Sequence, residues 1–527
     1  MLEIYEVDVL PEVEPMPEPK SYARRLLKGS AIVFTAFIAS EVVGVFMRMF
    51  LSRSLTVPEY GLFFEVYVFI SIFALLRDPG LGSSLTKHIA EFAVHKKFAK
   101  IKSSIAFSLL AQAAIGIIIS VILIVFSDQI ALTIFKTASA SLPFKILAIW
   151  FFLEAFRAIV SCVTQGLQNM KMHSLFNFSY TLIIFLSVLC FVGILGLGVS
   201  GVALAYPVAA VIVGISGLAL LAKKYPEVFG KKISMTKPLT KKLLVFAIPI
   251  FLGGIGGQIL TYTDTFLITI FRTPSDVAYY QAAQPSAKIL WYTVATLTVV
   301  LYPMISELWA KNRKDLLGRP FHFLIKFSFI LIIPVVFIFI VFPEIVLNLL
   351  FGAGYTPGAV VLQIFGVAAL IYPLYDILVT VIVGIGRPNI TAKVVGAMAV
   401  FNVIGDLILI PPYGIVGAAV ASLAAFILGL ILLIRHARRL IEFTMPTQPL
   451  LKLFAGGALT LLLILGLKSV LVLPAWLEAV TIIVPSLLFY VAWIIVTKVV
   501  TKDDLRFIQE IVPLPKWIVK AAEKILR

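Results

Sequence analysis

Runs of about twenty apolar residues, each enough to cross the hydrocarbon core of a bilayer as a helix, recur along the whole chain. They fall near 29–51, 61–79, 103–126, 144–168, 174–195, 199–222, 243–271, 277–308, 321–342, 357–384, 390–411, 414–435, 450–473 and 479–500. In lipid a spanning segment must satisfy its backbone hydrogen bonds internally, so runs of this length read as helices. Two stretches are long enough for two spans each, and Gly/Pro clusters divide them, LGLGVSG at 195–201 and PPYGIVG at 411–417. With 61% hydrophobic and 13% charged residues, a water-soluble fold would carry the apolar excess on its surface. The expected fold class is an all-α integral membrane protein with about fourteen transmembrane helices.

The formal net charge of +17 reads as the basic bias of loops on the cytoplasmic side and not as a nucleic-acid footprint. With the N-terminus in the cytoplasm, 35 of the 44 Lys and Arg fall in cytoplasmic tails and loops. Five, Arg53, Lys136, Lys145, Arg272 and Lys468, fall outside, and Arg48, Arg157, Lys288 and Lys326 lie within helices. One helix more or fewer would invert every later loop and destroy this pattern. The expected location is the cell (cytoplasmic) membrane, with both termini cytoplasmic. The first residues, MLEIYEVDVLPEVEPMPEPK, are acidic and Pro-rich, with no apolar core of a secretory signal. The segments at 86–100 and 505–527 are amphipathic and basic, and are expected to lie on the inner leaflet, with a solvated loop helix as the equal alternative for the first. Cys162 and Cys190 sit in apolar runs and read as small core residues.

The two halves of the chain echo each other. GLQNMKMHSLFN (166–177) aligns with GIGRPNITAKVV (384–395), GVSGVALA (198–205) with GIVGAAVA (414–421), and PEYGLFF (58–64) with SDVAYYQ (275–281), at offsets of 218, 216 and 217. The repeat covers six helices, an even number, so both copies enter the membrane in the same sense. The expected architecture is two six-helix lobes around a central cavity, plus two C-terminal helices. The expected boundaries are a tail at 1–28, an N-lobe at 29–224, a basic linker at 225–242, a C-lobe at 243–440, helices thirteen and fourteen within 441–500, and an amphipathic tail at 501–527.

KGSAIVFTAFIASEVVGVFMRMFLSRSLTVPEYGLF (28–63), RDPGLGSSLTKHIAE (77–91), SDVAYYQAAQP (275–285), FGAGYTP (351–357) and LILIPPYGIVGAAVAS (407–422) together resemble the polysaccharide-transporter branch of the multidrug/oligosaccharidyl-lipid/polysaccharide exporter superfamily, the Wzx-like flippases. The resemblance extends over most of residues 25–440. It implies a flippase that moves a polyprenyl-(di)phosphate-linked oligosaccharide to the outer leaflet by alternating access. Against the family pattern, Asp406 stands where an amide is usual before the turn.

Ionisable residues at bilayer depth are costly and mark candidate sites. In the eighth helix Gln281, Gln284, Lys288 and Tyr292 fall on one face, with Lys288 as a candidate ligand for phosphate. In the fourth, Trp150, Glu154, Arg157, Ser161, Gln165 and Gln168 form a second stripe. Arg157 is either a second phosphate ligand, for which its planar fork is suited, or the partner of Glu154 three residues before it. Glu41 and Arg48 share a face of the first helix, and the repeat gives Arg48 and Asp264 equivalent positions in the outer third of their helices, so these two are candidates for an outer-gate salt bridge, with separate snorkelling to the outer interface as the alternative. Asp376, with Tyr372 and Thr380, and Asp406, with Asn402, are candidates for binding a coupling cation or proton, or counter-ions for Lys288 or Arg157. Lys326, near the start of the ninth helix, is expected to snorkel.

The chain carries no nucleotide-binding loop, no metal-ligand cluster of Cys and His and no nucleophile elbow. A transporter with no enzymatic activity and no cofactor is therefore expected. A cation-coupled multidrug exporter of the same fold is the alternative, and a cationic against an acidic, aromatic cavity separates the two. A channel would be expected to show a filter-like loop or charged ring, which is not evident here.

Overall fold

Fourteen long helices account for most of the described residues of the computed structural model, which are 19–313, 318–440, 445–470, 474–502, 504 and 505. In chain order they are α1 Pro19–Ser54, α2 Val57–Ile72 with its continuation Ala74–Arg77, and α3 Phe98–Val125. Next come α4 Ser141–Gly166, α5 Met170–Val188 with a π turn Leu189–Ile194, and α6 Gly198–Lys224. The second half begins with α7 Lys237–Phe271, α8 Pro274–Ala310, α9 Gly318–Val341 and α10 Ala359–Gly384. The run Pro388–Leu440 is broken at Gly414 into α11 and α12, and α13 Thr447–Val470 and α14 Ala475–Val496 close the bundle. The two tails, at 1–18 and 506–527, lie outside the described residues, and with them the expectation for the C-terminal amphipathic segment.

The lobes are built alike. In the N-lobe α1 lies along α5, α4 along α6, and α3 against α4; in the C-lobe α7 lies along α11, α10 against α12, and α9 against α10. Local devices repeat at the same offset. Thr56 opens α2 and Thr273 opens α8, each in a capping box with the acid three residues on, Glu59 and Asp276. Gly198 and Gly414 both adopt positive φ, +53° and +59°, a conformation that is unstrained only for glycine. At Gly414 this frees the last carbonyls of α11, and Arg272 from the end of α7 caps them, donating to Ile410 O (3.0 Å) and Pro411 O (2.7 Å). A cation at a helix C-terminus is electrostatically favoured.

We call the face where α1 begins the inner face. On the outer face the lobes meet across the repeat axis, where α2 packs on α8. A Cβ at Gly61 would lie 1.7 Å from Pro274 O, so only glycine allows this approach. Two cations of the N-lobe reach carbonyls at helix ends of the C-lobe, Arg53 to Leu349 O (2.8 Å) and Lys136 to Ile270 O (3.1 Å). On the inner face the helix Leu81–Val94 packs on α7. Ser84 donates to Leu243 O (2.8 Å), Gly80 touches Ala247, and Lys242 pairs with Glu91 (2.5 Å). The Lys242 ammonium holds the Glu91 carboxyl below the usual carboxylate range.

Two expectations about position are corrected. The inner helix does not rest its apolar face on lipid, because Leu85, Ile89 and Phe92 are buried against Ile159, Val160 and Val163 of α4. Lys326 does not snorkel either, because it forms a nearly buried ion pair with Asp504, which ties α9 to the segment after α14. The last two helices pack through small residues, as membrane helices do. Gly456 sits under the ring of Trp493, whose Nε1 donates to Lys452 O (2.8 Å), and Gly457 lies on Phe337 of α9.

Candidate functional site

Helices α1, α2, α7 and α8 surround a cavity of about 670 Å³ between the lobes. Its polar lining includes Glu41, Arg48, Thr261, Gln281, Gln284 and Lys288, joined by Tyr67 and Tyr262. The sequence stripe on α8 is thus realised at Gln281, Gln284 and Lys288; the side chain of Tyr292 lies outside the described residues. Arg48 is held in place by Phe64, whose ring centre is 4.5 Å from the guanidinium carbon, and by a bond to Gln281 O (3.2 Å). Lys288 lies in the electrostatic field of Arg48, Glu41 and Asp264. The rim is apolar, formed by Val42 and Phe46 of α1 and Ile289 of α8, which are 48%, 55% and 43% exposed. The cavity therefore opens sideways between α1 and α8.

Behind the α8 wall is a second polar centre. Asp264 of α7 accepts from Tyr280 of α8 and from Ser422 of α12 (2.6 Å). Asp406 of α11 lies beside Asp264, and Asn402 donates to Ser422 (3.5 Å). Asp264, Tyr280, Asn402 and Asp406 are at most 2% exposed, and Ser422 is 9% exposed. Asp264 Oδ1, Asn402 Oδ1 and both carboxylate oxygens of Asp406 are buried without a hydrogen-bond donor. Ionised carboxylates offer only acceptors, and buried charge requires a partner, so this nest is suited to a proton or a small cation. Gln284 connects it to the cavity by donating to Tyr280 OH (3.4 Å). Sequence reasoning noticed Asp264, Asn402 and Asp406 separately. It missed Tyr280 and Ser422, although Tyr280 continues the α8 stripe one turn back from Gln284.

Other expected groupings are not formed. No ion pair joins Arg48 to Asp264 among the described residues, because each is engaged on its own side of α8. The outer face is held by Arg53 and Lys136 instead. Arg157 does not line the cavity. It pairs with Glu154 (2.5 Å), donates to Asn177 Oδ1 (3.1 Å) and packs on the Tyr180 ring (4.6 Å). Gln165 is exposed near the inner end of α4, away from the cavity. Asp376 accepts from Thr298 (3.0 Å) and Tyr372 (3.4 Å), beside the stacked rings of Tyr372 and Trp291, and does not join the nest.

The Arg157 geometry makes a prediction. Breaking a buried ion pair leaves an uncompensated charge and costs about 3 kcal/mol. Glu154→Gln and Arg157→Ala are therefore expected to lower the unfolding temperature in detergent by several degrees and to leave substrate preference unchanged. Loss of transport at full stability would instead make Arg157 a substrate ligand.

The chain matches the profile of the polysaccharide biosynthesis protein family over residues 26–309 and the MatE profile over residues 249–408. A relative named "Uncharacterized membrane protein MJ1068", from Methanocaldococcus jannaschii, is 26% identical over 86% of this chain and 91% of its own length. The "Probable low-salt glycan biosynthesis flippase Agl15" of Haloferax volcanii is 28% identical over 36% of this chain and 40% of its own. Among solved structures, "Lipid II flippase MurJ, inward closed conformation" superposes with a TM-score of 0.71 over 88% of this chain and 98% of that one, at 16% identity. That likeness concerns the fold alone.

Proposed function

The chain belongs to the polysaccharide biosynthesis protein family, and we propose that it is a flippase for a polyprenyl-(di)phosphate-linked oligosaccharide, moving it from the cytoplasmic to the outer leaflet by alternating access. The observation that carries this reading is the central cavity, which combines a cationic wall with an apolar side opening. Arg48 and Lys288 suit a phosphate or diphosphate. Gln281, Gln284 and Thr261 offer hydrogen bonds to sugars. The rim of Val42, Phe46 and Ile289 allows a polyprenyl tail to stay in the bilayer while the head group is inside. An inside-negative potential helps an anion outward by about 2.3 kcal/mol per charge per 100 mV. The 35 of 44 basic residues on the N-terminal side support cytoplasmic termini and a place in the cell membrane.

The nest of Asp264, Asp406, Asn402 and Ser422 is assigned to the coupling ion, a cation or a proton. Its link to the cavity through Tyr280 and Gln284 lets its charge state bear on substrate binding, since both sit on the helix that carries Lys288. Asp406→Asn is expected to abolish the response of transport to an imposed cation or proton gradient, while downhill exchange persists. An unchanged gradient response would remove the nest from the mechanism.

A multidrug exporter is the second reading, favoured by the MatE match and by the aromatic group of Trp291, Tyr372, Tyr375 and Phe426 near Asp376. Proteoliposomes containing both a polyprenyl-diphosphate oligosaccharide and a cationic dye separate the two. Transfer of the sugar lipid alone supports the flippase, and transfer of the dye alone supports the exporter.

A further inference from the structure

The transport cavity occupies one face of α1, and the opposite face carries a second depression. It is a groove of about 550 Å³ between the inner halves of α1 and α5, both apolar and long enough to span a membrane. On α1 the groove is lined by Ile32, Thr35, Ala36 and Ala39, whereas Glu41, Val45 and Arg48 line the cavity. Helical periodicity puts the two sets on opposite sides of α1. The two alanines leave the notch, and Leu175 and Phe178 of α5 form its other wall, with Leu175 57% exposed on the outside of the bundle.

Two polar groups stand in this otherwise apolar groove. Lys171, at its inner end, is exposed and has no carboxylate partner among the described residues. Ser174, three residues on and therefore on the same face, is 6% exposed, and its Oγ is buried without a hydrogen-bond partner among the described residues. Ser103, Ser104 and Thr164 each donate to the carbonyl four residues back in their helices; Ser174 forgoes that bond. A buried hydroxyl left unsatisfied is costly, and this one lines a groove that has room for a partner. The first turn of α5 adds its own field. Asn169 Oδ1 accepts from Met172 N–H (3.2 Å), the other leading amides have no intrahelical acceptor, and the helix dipole is positive at this end.

We propose that the groove binds an anionic phospholipid of the leaflet on the inner face. Its phosphate lies at Lys171 and the first turn of α5, since an ammonium and a helix N-terminus both suit phosphate. The Ser174 hydroxyl donates to an ester or phosphate oxygen, and an acyl chain lies along Ala36, Ala39, Leu175 and Phe178. Lys171 and Phe178 are about 10 Å apart along a helix, which puts the charge at the edge of the hydrocarbon and the chain within it. The side opening assigned to the transported lipid lies between α1 and α8, on the other side of α1, so the groove is assigned to a resident bilayer lipid. That lipid backs the helix that carries Glu41 and Arg48.

The test uses the full chain in nanodiscs of neutral lipid with a trace of phosphatidylglycerol or phosphatidylcholine carrying a diazirine on an acyl chain. After irradiation, mass spectrometry of the digested protein locates the label. Phosphatidylglycerol should label residues 36–39 and 175–178 severalfold more than phosphatidylcholine does. Lys171→Glu, at an exposed position, should cut that yield about tenfold, the worth of one charged hydrogen bond, and Ser174→Ala should cut it severalfold. Lys223→Glu, which removes an exposed lysine from the inner end of α6, should leave it unchanged. Equal labelling by the two lipids, or full labelling of Lys171→Glu or of Ser174→Ala, overturns the site and leaves only annular lipid. An equal loss in Lys223→Glu also overturns it, because surface charge in general would then draw the lipid. Displacement of the label by a polyprenyl-diphosphate oligosaccharide overturns the resident-lipid assignment and makes the groove a substrate site. Labelling requires no transport, so its failure and the failure of the flippase reading are distinguishable.

Discussion

Lys288→Ala is expected to slow transfer of the lipid-linked sugar by one to two orders of magnitude, and Lys288→Arg to keep most of the rate. A hydrogen bond to a charged partner is worth about 1.5–3 kcal/mol, and about 1.4 kcal/mol is tenfold. The side chain lines the cavity at a half-buried position on α8, so its loss leaves a wetter wall and not an unpaired buried charge. Arg48→Ala is expected to combine two effects, because Arg48 also supports Gln281 O and rests on Phe64. Initial rates in proteoliposomes, with scanning fluorimetry as a fold control, make the measurement. If Lys288→Ala leaves sugar-lipid transfer intact and speeds export of a cationic dye, the cavity is built for cations and the exporter reading replaces the flippase.

Gly61→Leu is expected to abolish transport without preventing insertion. At this position the outer ends of α2 and α8 approach so closely that a Cβ would stand 1.7 Å from Pro274 O and 2.6 Å from its carbonyl carbon. Both are backbone atoms in the first turn of a capped helix, so neither can rotate away. The lobes must separate on the outer face, which breaks the Arg53–Leu349 and Lys136–Ile270 bonds. The cavity should then admit reagents from outside. In a cysteine-free background a thiol introduced by Gln284→Cys should react with an impermeant maleimide in the Gly61→Leu protein, and slowly or not at all without it. Equal labelling in both would mean that the outer face is open regardless of this contact. Even Gly61→Ala should show the effect, because the clash begins at the Cβ.

How much of this was legible in the residues depended on range. A spanning helix is a local property, since about twenty apolar residues suffice to define one, and the Gly/Pro clusters that divide α5 from α6 and α11 from α12 act through their own backbone. The repeat was also readable, because each copy carries its signals in order, down to the paired positive-φ glycines 198 and 414. The α8 stripe was legible for a similar reason, because positions three, four and seven apart share a face of any helix. Arg157 was only half legible. Its spacing from Glu154 allowed the pair, but the packing of α4 on α6 and the nearness of Asn177 and Tyr180 decided that it is turned away from the cavity.

What lay beyond the sequence were contacts between residues far apart in the chain. Asp264, Asp406 and Ser422 belong to three helices, and each looks like an isolated intramembrane polar residue until α7, α11 and α12 pack together. Arg48 and Asp264 occupy related positions in the repeat, yet α8 stands between their partners, and so the expected bridge is replaced by carbonyl contacts at the helix ends. Lys326 finds Asp504 only because α14 returns to the inner face beside α9. The sequence by itself determined the solvent, the helices and their repetition, since lipid demands local satisfaction of every backbone group. Only the tertiary structure decided which buried charges meet, because ion pairing depends on distances of a few ångströms that helix packing alone sets.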